Sequence, residues 1–172
     1  MSGSRLFSGL LFAASLGVGV LAAQEEGEMP PSIGAEGYGW QLTTTAGTVV
    51  SLEAWRGRVV VLNLWATWCR PCVTELPSLM ALRDSLAETD VVFAAVSAEA
   101  PATVQRFVRA QRIDLPIYLE RSRMPESLSV LALPTTLVID REGRIVLHRR
   151  GAAEWNKPSV VQFVREIARR GS

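Results

Sequence analysis

An α/β domain with a parallel or mixed sheet is the fold class this sequence predicts, and three observations predict it. Val59 to Trp65 is an apolar, largely β-branched run interrupted only by Asn63. A short run of this kind, without polar alternation, marks a strand buried on both faces. Segments of helical and strand character then alternate to the C-terminus, the pattern of strands joined by packed helices. Third, the chain has 172 residues, 48% hydrophobic and 20% charged. That composition suits one globular domain with a substantial core. The formal net charge of +1 gives no sign of a nucleic-acid partner or an anionic surface.

Taken in order, residues 1–23 stand apart. Arg5 precedes an apolar Leu6–Val20 stretch that closes on small residues at Ala22 and Ala23. This is the layout of a secretory signal peptide; a short membrane anchor is the alternative, although the apolar stretch is brief for a span. Both readings place the rest of the chain outside the cytoplasm, in the periplasm or an equivalent compartment where disulfides persist. Residues 24–36, rich in Glu, Gly and Pro, are expected to form a flexible linker before a domain over residues 37–171. Trp40–Leu42 and Thr48–Val50, joined through Ala46-Gly47, predict a small N-terminal hairpin. Ser51 is placed to cap a short turn ending at Gly57.

The buried strand comes next, and after it a helix with Leu76, Leu79, Leu82 and Leu86 on one face and a kink expected at Pro77. Val91–Ser97 predicts a second buried strand, and Ala102–Gln111 a helix with Val104, Phe107 and Val108 inward. Leu115–Leu119 predicts a short strand, and residues 121–131 a loop with a short helix. Thr135–Asp140 and Ile145–Arg150 predict a hairpin around Arg141-Glu142-Gly143. Asn156 is expected to cap a last helix from Lys157 to Arg170 that buries Val160, Val161, Val164 and Ile167.

The chemistry concentrates where the first buried strand gives way to its helix, at Trp68-Cys69-Arg70-Pro71-Cys72. Pro71 suits a first helical turn, because its missing N–H has no helical partner there. Cys69 then sits at a helix N-terminus, where partial positive charge and free N–H donors favour thiolate over thiol, and Arg70 adds a full positive charge. The thiolate is the species that attacks disulfides, so Cys69 is the candidate nucleophile and Cys72 the resolving thiol. The spacing also permits a disulfide between them. A loop this short makes a weak structural staple, which favours a redox use.

The motif WATWCRPC after an apolar strand, with LEAWRGR before it, Glu75-Leu76-Pro77 after it and Leu133-Pro134-Thr135-Thr136 later, resembles the thioredoxin superfamily. Within it the sequence is similar to the TlpA/ResA-like thiol–disulfide oxidoreductases, over roughly Gly37 to Gly171. The resemblance implies a thioredoxin-like fold: a central mixed sheet flanked by helices, with an N-terminal β-hairpin extension. It implies that Leu133–Pro134 is a cis bond facing the dithiol, with the Leu133 backbone open to an extended substrate, so that Leu133, Pro134 and Thr135 join Trp68, Arg70 and Pro71 as candidate substrate-binding residues. Thioredoxins proper carry a buried Asp six residues before the first cysteine; that position here is Asn63. Glu75 shares a helix face with Cys72, and in the ResA-like group a Glu at this offset lies near the active site. Buried there, it would have a raised pKa and carry the proton of Cys72.

The activity so implied is reduction of protein disulfides outside the cytoplasm, with cytochrome c maturation as one use. No cofactor beyond the Cys69–Cys72 dithiol is expected. The implied partners are disulfide-bearing extracytoplasmic proteins and a membrane protein that donates reducing equivalents. Three other readings compete. A disulfide-forming oxidase would need a much lower Cys69 pKa. A peroxiredoxin would need Thr three residues before its cysteine, and Thr67 is two before. A copper-handling thioredoxin fold would want a CxxxC spacing with a nearby His, and His148 is the chain's one histidine. A structural zinc site lacks ligands, and haem attachment would need His where Val73 stands.

Overall fold

The computed structural model describes residues 31–128 and 132–170. The expected leader and residues 24–30 of the expected linker lie outside the described residues. The described chain folds around a seven-stranded sheet in the order β2-β1-β5-β4-β3-β6-β7. Its elements are α1 (Gly34–Tyr38), β1 (Gln41–Thr44), β2 (Val49–Ser51), β3 (Val60–Leu64), α2 (Arg70–Ser85), β4 (Val92–Ser97), α3 (Pro101–Gln111), β5 (Ile117–Glu120), β6 (Thr135–Ile139), β7 (Ile145–Arg150) and α4 (Pro158–Arg169). Single 3-10 turns occupy Leu52–Trp55 and Glu126–Leu128.

The sheet is mixed. β3 runs parallel to β4 and antiparallel to β6, with Val60 opposite Val92 and Leu64 opposite Thr135. β4 and β5 are also parallel. All five residues of β3 are buried, as its unbroken apolar run requires of a central strand. Alternate residues feed two cores. Val61, Phe93, Ala95 and Val138 pack under α2, α3 and α4, together with Leu76, Leu79, Leu82, Val104 and Val164. Val60, Leu62, Leu64, Val92, Ala94 and Val96 face the other way, onto Ile33, Trp40, Leu42, Leu52, Trp55 and Leu128. The long helices thus share one face. The second face is closed by α1, the 3-10 turns and three aromatic side chains, Tyr38, Trp40 and Trp55.

Several local expectations change or are filled in. From Pro31 the expected linker is part of the fold: Ile33 is buried, its N–H donates to the Gly143 carbonyl, and the Ile145 N–H donates to the Pro31 carbonyl. Burying Ile33 outweighs the low propensity of its Gly- and Pro-rich surroundings. β1 and β2 pair antiparallel, with Leu42 opposite Val50, and β1 also pairs with β5, so these strands are the edge of the main sheet. Ser51 occupies the cap position of its 3-10 turn without a side-chain bond. Lys157, not Asn156, is the N-cap of α4, because Pro158 takes the first helical position. α2 runs continuously from Arg70 to Ser85 with Pro77 inside it.

Candidate functional site

β3 ends at Leu64, opposite Val96 near the end of β4 and Thr135 at the start of β6. The segment after β3 is therefore flanked on one side by the β4–α3 loop and on the other by the residues leading into β6. That segment is Trp65-Ala66-Thr67-Trp68, and it delivers Cys69 as the N-cap of α2 in extended conformation. The Trp65 N–H donates to the Val96 carbonyl, and the Cys69 N–H to the Ala66 carbonyl, which turns the chain into the helix. Pro71 lies in the first helical turn.

Cys69 and Cys72 form a disulfide with Cα atoms 5.2 Å apart, and the Cys72 N–H points at the Cys69 sulfur at 3.3 Å. That contact is an N-cap bond with sulfur as acceptor, so an anionic sulfur at this position meets a helix N-terminus. The two cysteines differ in access: Cys69 is 5% exposed and Cys72 not at all. An incoming thiol or disulfide can approach only the Cys69 side. The rim is made by Trp68, 72% exposed and one of the two large apolar side chains the described surface displays, with Arg70 and Pro71 also exposed. Three of the candidate contact residues are thus gathered around the reachable sulfur.

The segment leading into β6 is mixed in character. Leu133–Pro134 is a cis peptide bond. Leu133 is half-buried, and its N–H and C=O take no partner among the described residues. Pro134 is buried, and its carbonyl accepts from the Gly151 N–H. Thr135 leaves the substrate-binding set. It is fully buried, its hydroxyl donates to the Ala132 carbonyl, and its backbone stands in the sheet between Leu64 and Arg150. The first residue of a central strand is claimed by its ladder.

Glu75, just under one turn past Cys72 on α2, is buried at 2% exposure. Its Oε1 accepts from Asn63 Nδ2 at 2.8 Å; its Oε2 accepts from the Ala153 N–H and from Trp155 Nε1, both at 3.0 Å. Burial pushes its carboxyl above the ordinary value. Three N–H donors and the charge of Arg149 pull it back without cancelling the rise. Ser78 ties the same region together, donating to the Glu75 carbonyl and accepting from the Trp155 N–H. The carboxyl borders a surface cleft of about 640 Å³ that Thr74, His148, Arg149, Ala153 and Trp155 also line. A buried acid with a raised pKa beside an open cleft can take up and release a proton. His148 stands in this cleft on β7 and lines it with Glu75 rather than with the cysteines.

Several residues here, Asn63 apart, gave no functional signal in sequence. Trp155 and Ala153 lie in the link before α4, some eighty positions from Glu75, and only the packing of α4 on α2 brings them to it. Asn63 donates to Thr136 Oγ1 as well as to Glu75, and its own Oδ1 is buried without a partner among the described residues. Glu99 accepts from the Thr67 N–H and the Thr67 hydroxyl, both at 2.7 Å. An acid just before a proline-led helix was the one available hint of it.

Comparison with known proteins agrees with this geometry. The sequence profile described as the AhpC/TSA family matches residues 33–148. The thiol-disulfide oxidoreductase ResA of Halalkalibacterium halodurans is 33% identical over 138 residues, 78% of each chain. ResA of Bacillus subtilis is 30% identical over 139 residues, covering 80% of this chain and 78% of its own. Among solved structures, a secreted disulfide oxidoreductase of Mycobacterium tuberculosis homologous to E. coli DsbE superposes with a TM-score of 0.64 at 20% identity, over 77% of this chain and 98% of that one. At that identity the likeness speaks for the fold.

Proposed function

As this chain belongs to the AhpC/TSA family and, with its ResA relatives, is a thiol–disulfide oxidoreductase, we propose that it works as a reductant of protein disulfides outside the cytoplasm. The observation that carries the exchange chemistry is the pairing of a wholly buried Cys72 with a buried Glu75 three residues on in α2; the reducing direction is taken from the ResA-like resemblance. A thiol in apolar surroundings resists ionisation. It becomes a nucleophile only if a base takes its proton, and a reductant needs that step in every turnover.

The reaction then runs in two exchanges. The Cys69 thiolate attacks one sulfur of a substrate disulfide, forming the mixed disulfide and releasing the other substrate sulfur as thiolate. Cys72 gives its proton to Glu75 and attacks the Cys69 sulfur. The Cys69–Cys72 disulfide forms, and the second substrate sulfur leaves. The substrate gains two electrons, the enzyme dithiol loses them, and Glu75 passes its proton to the departing thiolate or to solvent in the cleft. Trp68 and Pro71 offer apolar contact to the substrate chain, and Leu133 offers backbone for an extended segment to pair with. A membrane protein carrying reducing equivalents outward restores the dithiol. Apocytochrome c, with its closely spaced cysteines, is the substrate class the ResA-like resemblance suggests. The leader expected over residues 1–23 supports the extracytoplasmic assignment.

The deciding measurement is the reduction potential of the Cys69–Cys72 couple. A value near the thioredoxin range, about −270 mV, supports a reductant; one near the strong oxidases, about −120 mV, reverses the direction of electron flow. Glu75→Gln should slow release from a trapped mixed disulfide by roughly 100-fold while leaving attack by Cys69 little changed. Equal release rates in the variant and wild type would remove the proposed base.

A further inference from the structure

Glu99 lies just past β4, which flanks β3 on the side opposite β6, the strand that follows Pro134. Both of its oxygens are engaged by the turn that presents Cys69. Oε2 accepts from the Thr67 N–H and Oε1 from the Thr67 hydroxyl. Ser97, 1% exposed, braces the carboxylate from behind. Its hydroxyl donates to Oε2 at 3.2 Å and accepts from the Glu99 N–H at 3.2 Å. A side chain held this way has little rotational freedom, and the turn from Ala66 to Trp68 inherits its position. Glu99 makes no ion pair among the described residues.

We propose that Glu99 is a positioning residue for the attacking thiol: its carboxylate clamps the turn before Cys69 and fixes a negative charge behind it, making the pair more reducing. This rests on the reading of Cys69 as the attacking sulfur. The role of Glu99 has two parts. Charge-assisted bonds to a backbone N–H and a hydroxyl are the stronger class of hydrogen bond, and two of them converge on one residue of a turn that has no regular secondary structure of its own. The second part is electrostatic. The α2 N-terminus and Arg70 stabilise a thiolate at position 69; Glu99, bound to the residue two positions before it, opposes them. The further carboxyl near the dithiol, Glu75, lies on the Cys72 side within α2. The balance of these charges sets how readily the reduced pair gives up its electrons, because stabilising the thiolate stabilises the reduced form.

Two variants separate the parts. Glu99→Gln keeps an acceptor for the Thr67 N–H, and its amide can donate to the Thr67 hydroxyl, so the clamp persists without the charge. Glu99→Ala removes both. The reduced proteins are alkylated with iodoacetamide across pH with the modified cysteine identified, and the couple is equilibrated against glutathione. Glu99→Gln should shift the Cys69 alkylation profile to lower pH and move the equilibrium about three- to tenfold toward the reduced protein, half to one pKa unit in effect. Glu99→Ala should in addition slow reduction of a disulfide substrate at pH 7 by about tenfold, as the turn loosens. Coincident profiles and potentials for Glu99→Gln and wild type would overturn the electrostatic role whether or not Glu99→Ala folds. Labelling that falls on Cys72 instead would overturn the assignment of the attacking sulfur, an outcome distinct from an unshifted Cys69 profile.

Discussion

Glu75 is the side chain whose environment departs furthest from what its type prefers. A carboxyl at 2% exposure is costly to ionise, yet three N–H donors converge on it. Its folded pKa is raised above the unfolded value. The folded protein therefore holds a proton that the unfolded chain has released, and stability from this group is complete below the ordinary carboxyl range and lost as pH rises through the raised value. Urea unfolding measured across that window should show stability falling with pH, and Glu75→Gln should flatten the fall. Parallel profiles for the two proteins would mean the carboxyl does not titrate there. Trp155→Phe tests the network from its other end. Losing the indole donor to a charged acceptor should cost about 1.5–3 kcal/mol when Glu75 is ionised. It should also move the pH profile of the resolving step upward, since the donor favours the anion.

Among the elements, α2 and the N-terminal collar, the segment from Pro31 to Tyr38 that contributes Ile33 and Tyr38 to the second core, show how differently sequence signals mature. α2 begins where Cys69 and Pro71 say it should, and its Leu76, Leu79 and Leu82 stripe is buried as the three- and four-residue spacing predicts. The collar had no such periodicity. Ile33 is a lone apolar residue among Pro, Ser, Gly and Glu, yet it is 2% exposed and part of the second core. Ile33→Ala should destabilise the domain by about 2–5 kcal/mol, read by chemical denaturation, as for other fully buried aliphatics. A loss under about 0.5 kcal/mol, the range of ordinary surface substitutions, would mean the segment contributes nothing to the fold. Thr135 went the other way: its motif suggested contact with substrate, and the central position of β6 buried it.

At the scale of the whole molecule, the sheet order decides where chemistry is possible. β3 lies between β4 and β6, so the segments at the ends of β4 and β6 flank the turn that carries Cys69. The dithiol is local, with a sequence separation of 3, and the chain-entropy account gives such a loop only about 2 kcal/mol. Reduction should therefore lower the melting temperature by about 4–8 °C and leave unfolding cooperative. A collapse of tertiary structure on reduction would make the bridge a structural staple. Such a domain holds its shape while the cysteines cycle, as a redox enzyme requires.

The sequence by itself determined the α/β class, the buried central strand, the helix that opens at Cys69 and the close spacing of the two cysteines. Those features depend on contiguous residues: apolar runs, helical spacing, a proline in a first turn. Only the tertiary structure decided that Glu75 meets Trp155 and Ala153, that Glu99 clamps Thr67, that Thr135 is sealed and that Ile33 is core. Each of these depends on residues tens of positions apart, brought together by the order of strands and the packing of α4 on α2. Burial and hydrogen-bond partners belong to neighbours in space, and the amino-acid order names those neighbours only once the sheet has formed.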